Sequence, residues 1–125
     1  MSSEHPGPPV PESGAPSLVH AVEPGPELLE AAAATLRLLA EPTRLALLWK
    51  LLQGPKTVTE LTAGAGVSRT VVSQHLAKLR LSGLVETRKD GRHVIYSLRD
   101  GHLERLIRET INHADHRVTG EPSHG

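Results

Sequence analysis

Residues 57–98 restrict the fold more than any other stretch of this chain. Thr57-Val58-Thr59-Glu60 places a hydroxyl at a cap position and a carboxylate three residues on, the reciprocal pattern that opens a helix. That helix is predicted to reach about Ala63. Gly64-Ala65-Gly66-Val67 supplies a turn, and Ser68 caps a second helix predicted from Arg69 to about Leu81. Ser82-Gly83 closes it. Leu84–Arg88 and His93–Leu98 then read as strands around Lys89-Asp90-Gly91-Arg92, because Asp-Gly between β-prone runs marks a hairpin. A short helix, a glycine-containing turn and a second capped helix make a helix-turn-helix, and the hairpin that follows at once makes it a winged helix.

The second helix divides into two faces. Val72, Leu76 and Leu79 point inward, and Arg69, Thr70, Ser73, Gln74 and Lys78 point outward. Gln can pair with adenine, Arg with guanine, and the hydroxyls with either, so the outward set suits base edges and phosphates. An ordinary polar helix face has the same pattern, and spacing alone leaves both readings open. Charge adds a second argument. The formal net charge of zero hides a segregation: residues 1–30 hold five acidic side chains and no Lys or Arg, whereas residues 56–99 hold eight basic side chains against three acidic ones. A polyanion would bind that central block. The hairpin tip is its most basic part, with Arg88, Lys89 and Arg92 placed to lie along phosphates or enter the minor groove. His93 reads there as a phosphate or solvent contact.

Upstream, residues 27–40 form a helix with Leu28, Leu29, Ala32, Leu36 and Leu39 as its apolar stripe. A second helix starts at Pro42, whose missing N–H costs nothing in a first turn; Leu45, Leu48, Trp49 and Leu52 are its expected core residues, and Gly54-Pro55 ends it. With only Trp49 and Tyr96 as aromatic residues, the core has to be built from Leu, Val, Ile and Ala. Residues 1–26 carry seven of the ten prolines and read as a disordered tail; 119–125 reads as a flexible one. One domain over 27–118 remains, α+β but mainly α.

The absence of cysteine rules out disulfides, thiolate metal sites and cysteine redox chemistry. No apolar run is long enough to span a membrane, and the Pro-rich start lacks a signal-peptide pattern. The expectation is a cytoplasmic protein with no membrane partner.

The last helix, about 101–118, carries Leu103, Leu106, Ile107, Ile111, Ala114 and Val118 at helical spacing. Four potential metal ligands lie on or beside it: Asp100, His102, His113 and His116. His113 and His116 share a face. His113 lies eleven positions after His102, roughly 16 Å at about 1.5 Å per residue, and a zinc–nitrogen bond is only about 2 Å long. One straight helix cannot close all four on one ion, but two antiparallel copies can. The pairs 102/113 and 100/116 share nearly the same centre, next to Arg108. A two-fold axis there brings Asp100 and His102 of one copy to His113 and His116 of the other. The competing reading is a solvated helix end with stray histidines. A zinc hydrolase is set aside, since no general base or substrate pocket is visible beside these ligands, and the chain is expected not to be an enzyme.

Several linked motifs resemble the ArsR/SmtB family of bacterial metal-responsive repressors. They are Leu38-Leu39-Ala40-Glu41-Pro42-Thr43-Arg44-Leu45, Val58-x-x-Leu61, Val67-Ser68-x-x-x-Val72-Ser73-x-His75-Leu76-x-x-Leu79, Gly83-Leu84-Val85, and Arg88-x-x-Gly91-Arg92-x-x-x-Tyr96-Ser97-Leu98. The likeness covers about 28–118. It implies a homodimer with an N-terminal helix and a C-terminal dimerisation helix, binding an inverted-repeat operator in double-stranded DNA and repressing transcription. Arg69, Thr70, Ser73 and Gln74 are then the DNA-facing positions. It also implies a metal site, Asp-x-His followed by His-x-x-His, on Asp100, His102, His113 and His116. The family's cysteine sites cannot exist here, which disfavours arsenic, cadmium, lead and thiol-redox sensing. One carboxylate and three imidazoles suit four-coordinate zinc, which is slightly favoured; nickel or cobalt would want further ligands, for which His5, His20, the amino terminus and His124 are candidates. The rival to a metal-released repressor is a metal-independent winged-helix regulator, repressor or activator, controlled by a protein partner.

Overall fold

The structure is a computed structural model and describes residues 23–120. Most of the expected N-terminal tail and nearly all of the C-terminal one, with His5, His20 and His124, lie outside the described residues. The elements run α1 Pro26–Leu39, α2 Pro42–Leu51, β1 Lys56–Thr57, α3 Val58–Thr62, α4 Arg69–Leu81, β2 Val85–Asp90, β3 His93–Leu98 and α5 Gly101–Thr119. The chain divides at Ala33/Ala34 into a small N-terminal unit and a main unit. In the N-terminal unit Leu28 and Leu29 are exposed.

The main unit is a winged helix-turn-helix. The capping box is present in full: Thr57 Oγ1 accepts from Glu60 N, and Glu60 Oε1 accepts from Thr57 N. Ser68 Oγ accepts from Val71 N and starts α4. At its other end α4 closes in a Schellman motif, with Gly83 N donating to Arg80 O and Leu84 N to Leu79 O. The motif needs a left-handed residue, and Gly83 provides it at φ 79°.

β2 and β3 pair antiparallel from Val85↔Leu98 to Asp90↔His93. The connecting loop is therefore only Gly91-Arg92, shorter than the four-residue turn expected, because Lys89 and Asp90 remain in the ladder. Gly91 takes φ 65°, as a tight hairpin loop requires at that position. A third strand was not expected: Lys56↔Tyr96 and Thr57↔Ile95 pair β1 with β3, giving sheet order β1-β3-β2. Two residues after Pro55, the second of them the cap of α3, carry no alternation from which a strand could be read.

Leu47, Leu48, Leu51, Leu61, Val72, Leu76, Leu79, Val85, Leu103 and Ile107 form the core, with Leu39 at its margin. The three inward residues of α4 are as expected. On α2 the phase differs: Leu47 and Leu51 are buried, whereas Trp49 is 38% exposed and Leu45 and Leu52 are half-buried. An almost continuous apolar run, Leu45 to Leu52, has no polar residue except Lys50 to fix its rotation. Likewise Leu36 on α1 and Val118 on α5 are exposed, and the stripe on α5 is covered only in its first half.

Thr57→Ala is expected to lower stability by about 1 kcal/mol through loss of the cap, read as a shift in the urea midpoint at constant slope. The bond from Thr57 N also holds the Glu60 carboxyl below the ordinary glutamate range. A depressed carboxylate stabilises the fold above its unfolded value, and that contribution is lost as pH falls through the lowered folded value. Stability of the parent chain should therefore drop more steeply in acid than that of Glu60→Gln.

Candidate nucleic-acid interface and metal-ligand helix

α4 presents a shallow concave strip lined by Arg69, Thr70, Ser73, Gln74 and Ala77. All five are exposed, as is Lys78, because burial of Val72, Leu76 and Leu79 on the opposite face fixes the rotation of the helix. Arg69 is held in place: its Nη1 donates to Thr59 Oγ1 at 2.8 Å, so α3 orients the first side chain of α4. Arg69 also lines a second hollow with Thr57, Thr59, Arg92, His93 and Tyr96. The wing's Arg92 and the helix's Arg69 thus face one concavity. A third hollow, between the end of α4 and the wing, is lined by Arg80, Thr87, Arg88, Lys89, Val94 and Tyr96.

Every expected nucleic-acid residue therefore lines one of these three hollows, except Lys78, which is exposed on α4. Arg80 was missed in the sequence. It falls between inward Leu79 and exposed Leu81, off the face defined by Arg69 and Ser73, and only the fold of the wing brings it next to Arg88 and Lys89.

A polar network anchors α4 from behind. Arg44 Nε donates to Leu38 O at 2.7 Å, and Arg44 Nη1 donates to His75 Nδ1 at 3.2 Å. Glu41 Oε1 accepts from Arg44 N at 2.7 Å and lies 3.8 Å from His75 Nε2. That backbone bond, aided by the His75 and Arg44 side chains, holds the Glu41 carboxyl below its ordinary range. His75 is the α4 end of this network, a role that spacing gave no sign of. Lys50 Nζ similarly donates to Leu61 O at 3.2 Å and to Ala63 O, closing the end of α3 onto α2.

The four expected metal ligands all lie on α5 or at its start. Asp100 is its N-cap, with Oδ1 accepting from Leu103 N at 2.9 Å. The second oxygen, Oδ2, is not used by the cap. His102 and His113 are exposed and His116 half-buried. His102 Nδ1 lies 2.9 Å from Arg105 Nη2. Among the described residues no three His, Asp or Glu side chains of one chain come together; the helix keeps the pair at its start apart from the pair near its end. Oxygen and imidazole donors at the surface fit a borderline divalent cation such as zinc, but only if two chains pool them. Beside the second pair is an uncovered apolar surface, where Trp49 lines one hollow with Pro42, Leu45, Ala46 and Ile111 and a neighbouring one with Ile111, Ala114 and Val118.

No helix among the described residues is long and apolar enough to cross a membrane.

Comparison with known proteins agrees with the winged helix-turn-helix fold. A family profile described as "Bacterial regulatory protein, arsR family" matches residues 41–87, from the start of α2 into β2. The HTH-type transcriptional regulator KmtR of Mycobacterium tuberculosis is 41% identical over 88 residues, which cover 70% of this chain and 68% of that protein. The HTH-type transcriptional repressor SmtB of the same species is 38% identical over 91 residues, covering 73% and 67%. Among solved structures, a homodimeric winged helix-turn-helix DNA-binding domain from Mycobacterium bovis, a possible ArsR-family regulator, superposes with a TM-score of 0.69 at 29% identity, covering 79% of this chain and 92% of that one. The chain belongs to the ArsR family, and it is a winged-helix, DNA-binding transcriptional regulator, not an enzyme.

Proposed function

We propose that the chain is a metal-responsive repressor. It binds an operator as a homodimer and is released when Zn(II), or alternatively Ni(II) or Co(II), binds between the C-terminal helices. The observation that carries this reading is the placement of the four donors. Asp100 and His102 sit at one end of an uninterrupted α5, and His113 and His116 sit near the other, with a common centre beside Arg108. An antiparallel partner helix completes the set twice.

Residues 27–118 act as one DNA-binding and dimerisation domain in the cytoplasm. The uncovered apolar surface around Trp49, Ile111 and Val118 supports a second copy as its cover. Arg69, Thr70, Ser73, Gln74 and Lys78 meet the major groove, and Arg88, Lys89 and Arg92 meet phosphates. Asp100 ligates through Oδ2 while Oδ1 keeps the helix cap. Asp100, His102, His113 and His116 would hold the ion between the two α5 helices, which would couple metal binding to the relative placement of the two DNA-binding heads. His113 would pass this on, with one ring nitrogen ligating and the other donating to a carbonyl near Gly83 of the other copy, a region that the bond from Arg99 N to Leu84 O holds beside the start of that copy's α5.

The test is binding of the purified protein to DNA from upstream of its own gene, at fixed salt because phosphate contacts make affinity salt-dependent. The metal-free protein is expected to bind. Addition of zinc, or else of nickel, should weaken binding by roughly 5- to 150-fold, a coupling of about 1–3 kcal/mol. Tight binding indifferent to both metals would overturn the sensor reading and favour control by a protein partner.

A further inference from the structure

Arg105 Nη2 lies 2.9 Å from His102 Nδ1, one turn along α5. A guanidinium only donates, so Nδ1 is the acceptor. A neutral imidazole has one N–H and one lone pair, which places the proton on Nε2. His102 then has no lone pair left for an ion. Ligation through Nδ1 displaces the guanidinium. Ligation through Nε2 moves the proton to Nδ1, where it faces an N–H of Arg105, and so breaks the same contact.

We propose that Arg105 gates His102: its guanidinium competes with the metal for the ring, whichever nitrogen ligates. This rests on the metal site proposed above. The neighbouring arginine is engaged elsewhere, with Arg108 Nη2 donating to Glu104 Oε2 at 3.3 Å. Once displaced, Arg105 has the carboxylate of Glu109 four residues on, at the spacing that lets helix side chains pair. The positive charge of Arg105 opposes a divalent cation at His102 in the same sense. Both groups are exposed, so the gate sets a threshold and does not close the site. It raises the free-metal concentration at which the regulator responds.

Two measurements on the full chain test this. In the metal-free protein at a pH of about 8, where imidazole is neutral, nitrogen NMR of the histidine rings should show His102 protonated at Nε2 with Nδ1 accepting a hydrogen bond. Arg105→Met should remove that signature. Zinc titration against a chromophoric chelator should give Arg105→Met about three- to tenfold tighter binding than the parent, the size of one surface hydrogen bond. Equal zinc affinity of parent and Arg105→Met, or a His102 proton on Nδ1 in the metal-free chain, overturns the gate. If the two are equal while His113→Gln binds zinc more weakly, the site stands and only the gate falls. If no variant binds zinc, the site and the gate fall together.

Discussion

A chain carrying Arg80→Ala, Arg88→Ala and Lys89→Ala together is expected to lose operator affinity on the order of a thousandfold at physiological salt. These three side chains line one hollow between the end of α4 and the wing, and all three are exposed. Their removal takes away charge without disturbing the core. In the proposed dimer the hollow occurs twice, so up to six phosphate contacts are lost. A plot of log affinity against log salt should become shallower by about 5, at about 0.9 per contact. The loss should be nearly uniform across sequences, because phosphate contacts position the protein and base contacts specify the site. Gln74→Ala is the contrast: discrimination against the wrong base should fall by about 1–3 kcal/mol while the salt slope is unchanged. Circular dichroism should show all these variants folded. An unchanged salt slope in the triple variant would place the wing away from the DNA.

Much of this surface was legible before the fold was known, because caps and turns are written in short-range chemistry. Thr57, Glu60, Ser68 and Gly83 each satisfy backbone groups within five residues of themselves, so their roles follow from residue type and spacing. The outward face of α4 was legible for the same reason, with Val72, Leu76 and Leu79 fixing its phase. What was not legible depends on long-range contact. Nothing local marks Lys56–Thr57 as a strand, since its partners Tyr96 and Ile95 lie some forty residues on. Arg80 joins Arg88 and Lys89 only after the wing folds back. The rotation of α2 was misjudged because a run of leucines permits several, and contact with α4 and α5 selects the one that buries Leu47 and Leu51 and leaves Trp49 at the surface. The exposed leucines of α1 and the bare second half of α5 belong with that error. An apolar stripe shows that a face is to be covered, not whether the cover comes from the same chain.

The spacing of the four proposed ligands by itself excludes closure within one helix, and one chain's described residues gather no three such side chains. His113→Gln is the substitution that isolates its role. The metal-free variant is expected to bind operator within about twofold of the parent, since His113 is exposed and surface changes shift stability by no more than about 0.5 kcal/mol. Gln is at least as good a helix former as His, so α5 should persist. The response to zinc should vanish: the release of roughly 5- to 150-fold expected of the parent should fall to none, read by titrating labelled operator DNA with and without zinc. His93→Gln in the wing, outside the proposed site, should leave that release intact. A His113→Gln protein that still releases DNA fully on adding zinc would remove these four residues as the sensor. Asp100→Ala would be the weaker test. Asp100 caps α5 through Oδ1, and loss of an N-cap carboxylate costs about 1 kcal/mol by itself, so a blunted response could come from a frayed helix as easily as from a missing ligand. His113 lies inside α5 and caps neither of its ends, so a change in the metal response can be assigned to its ring.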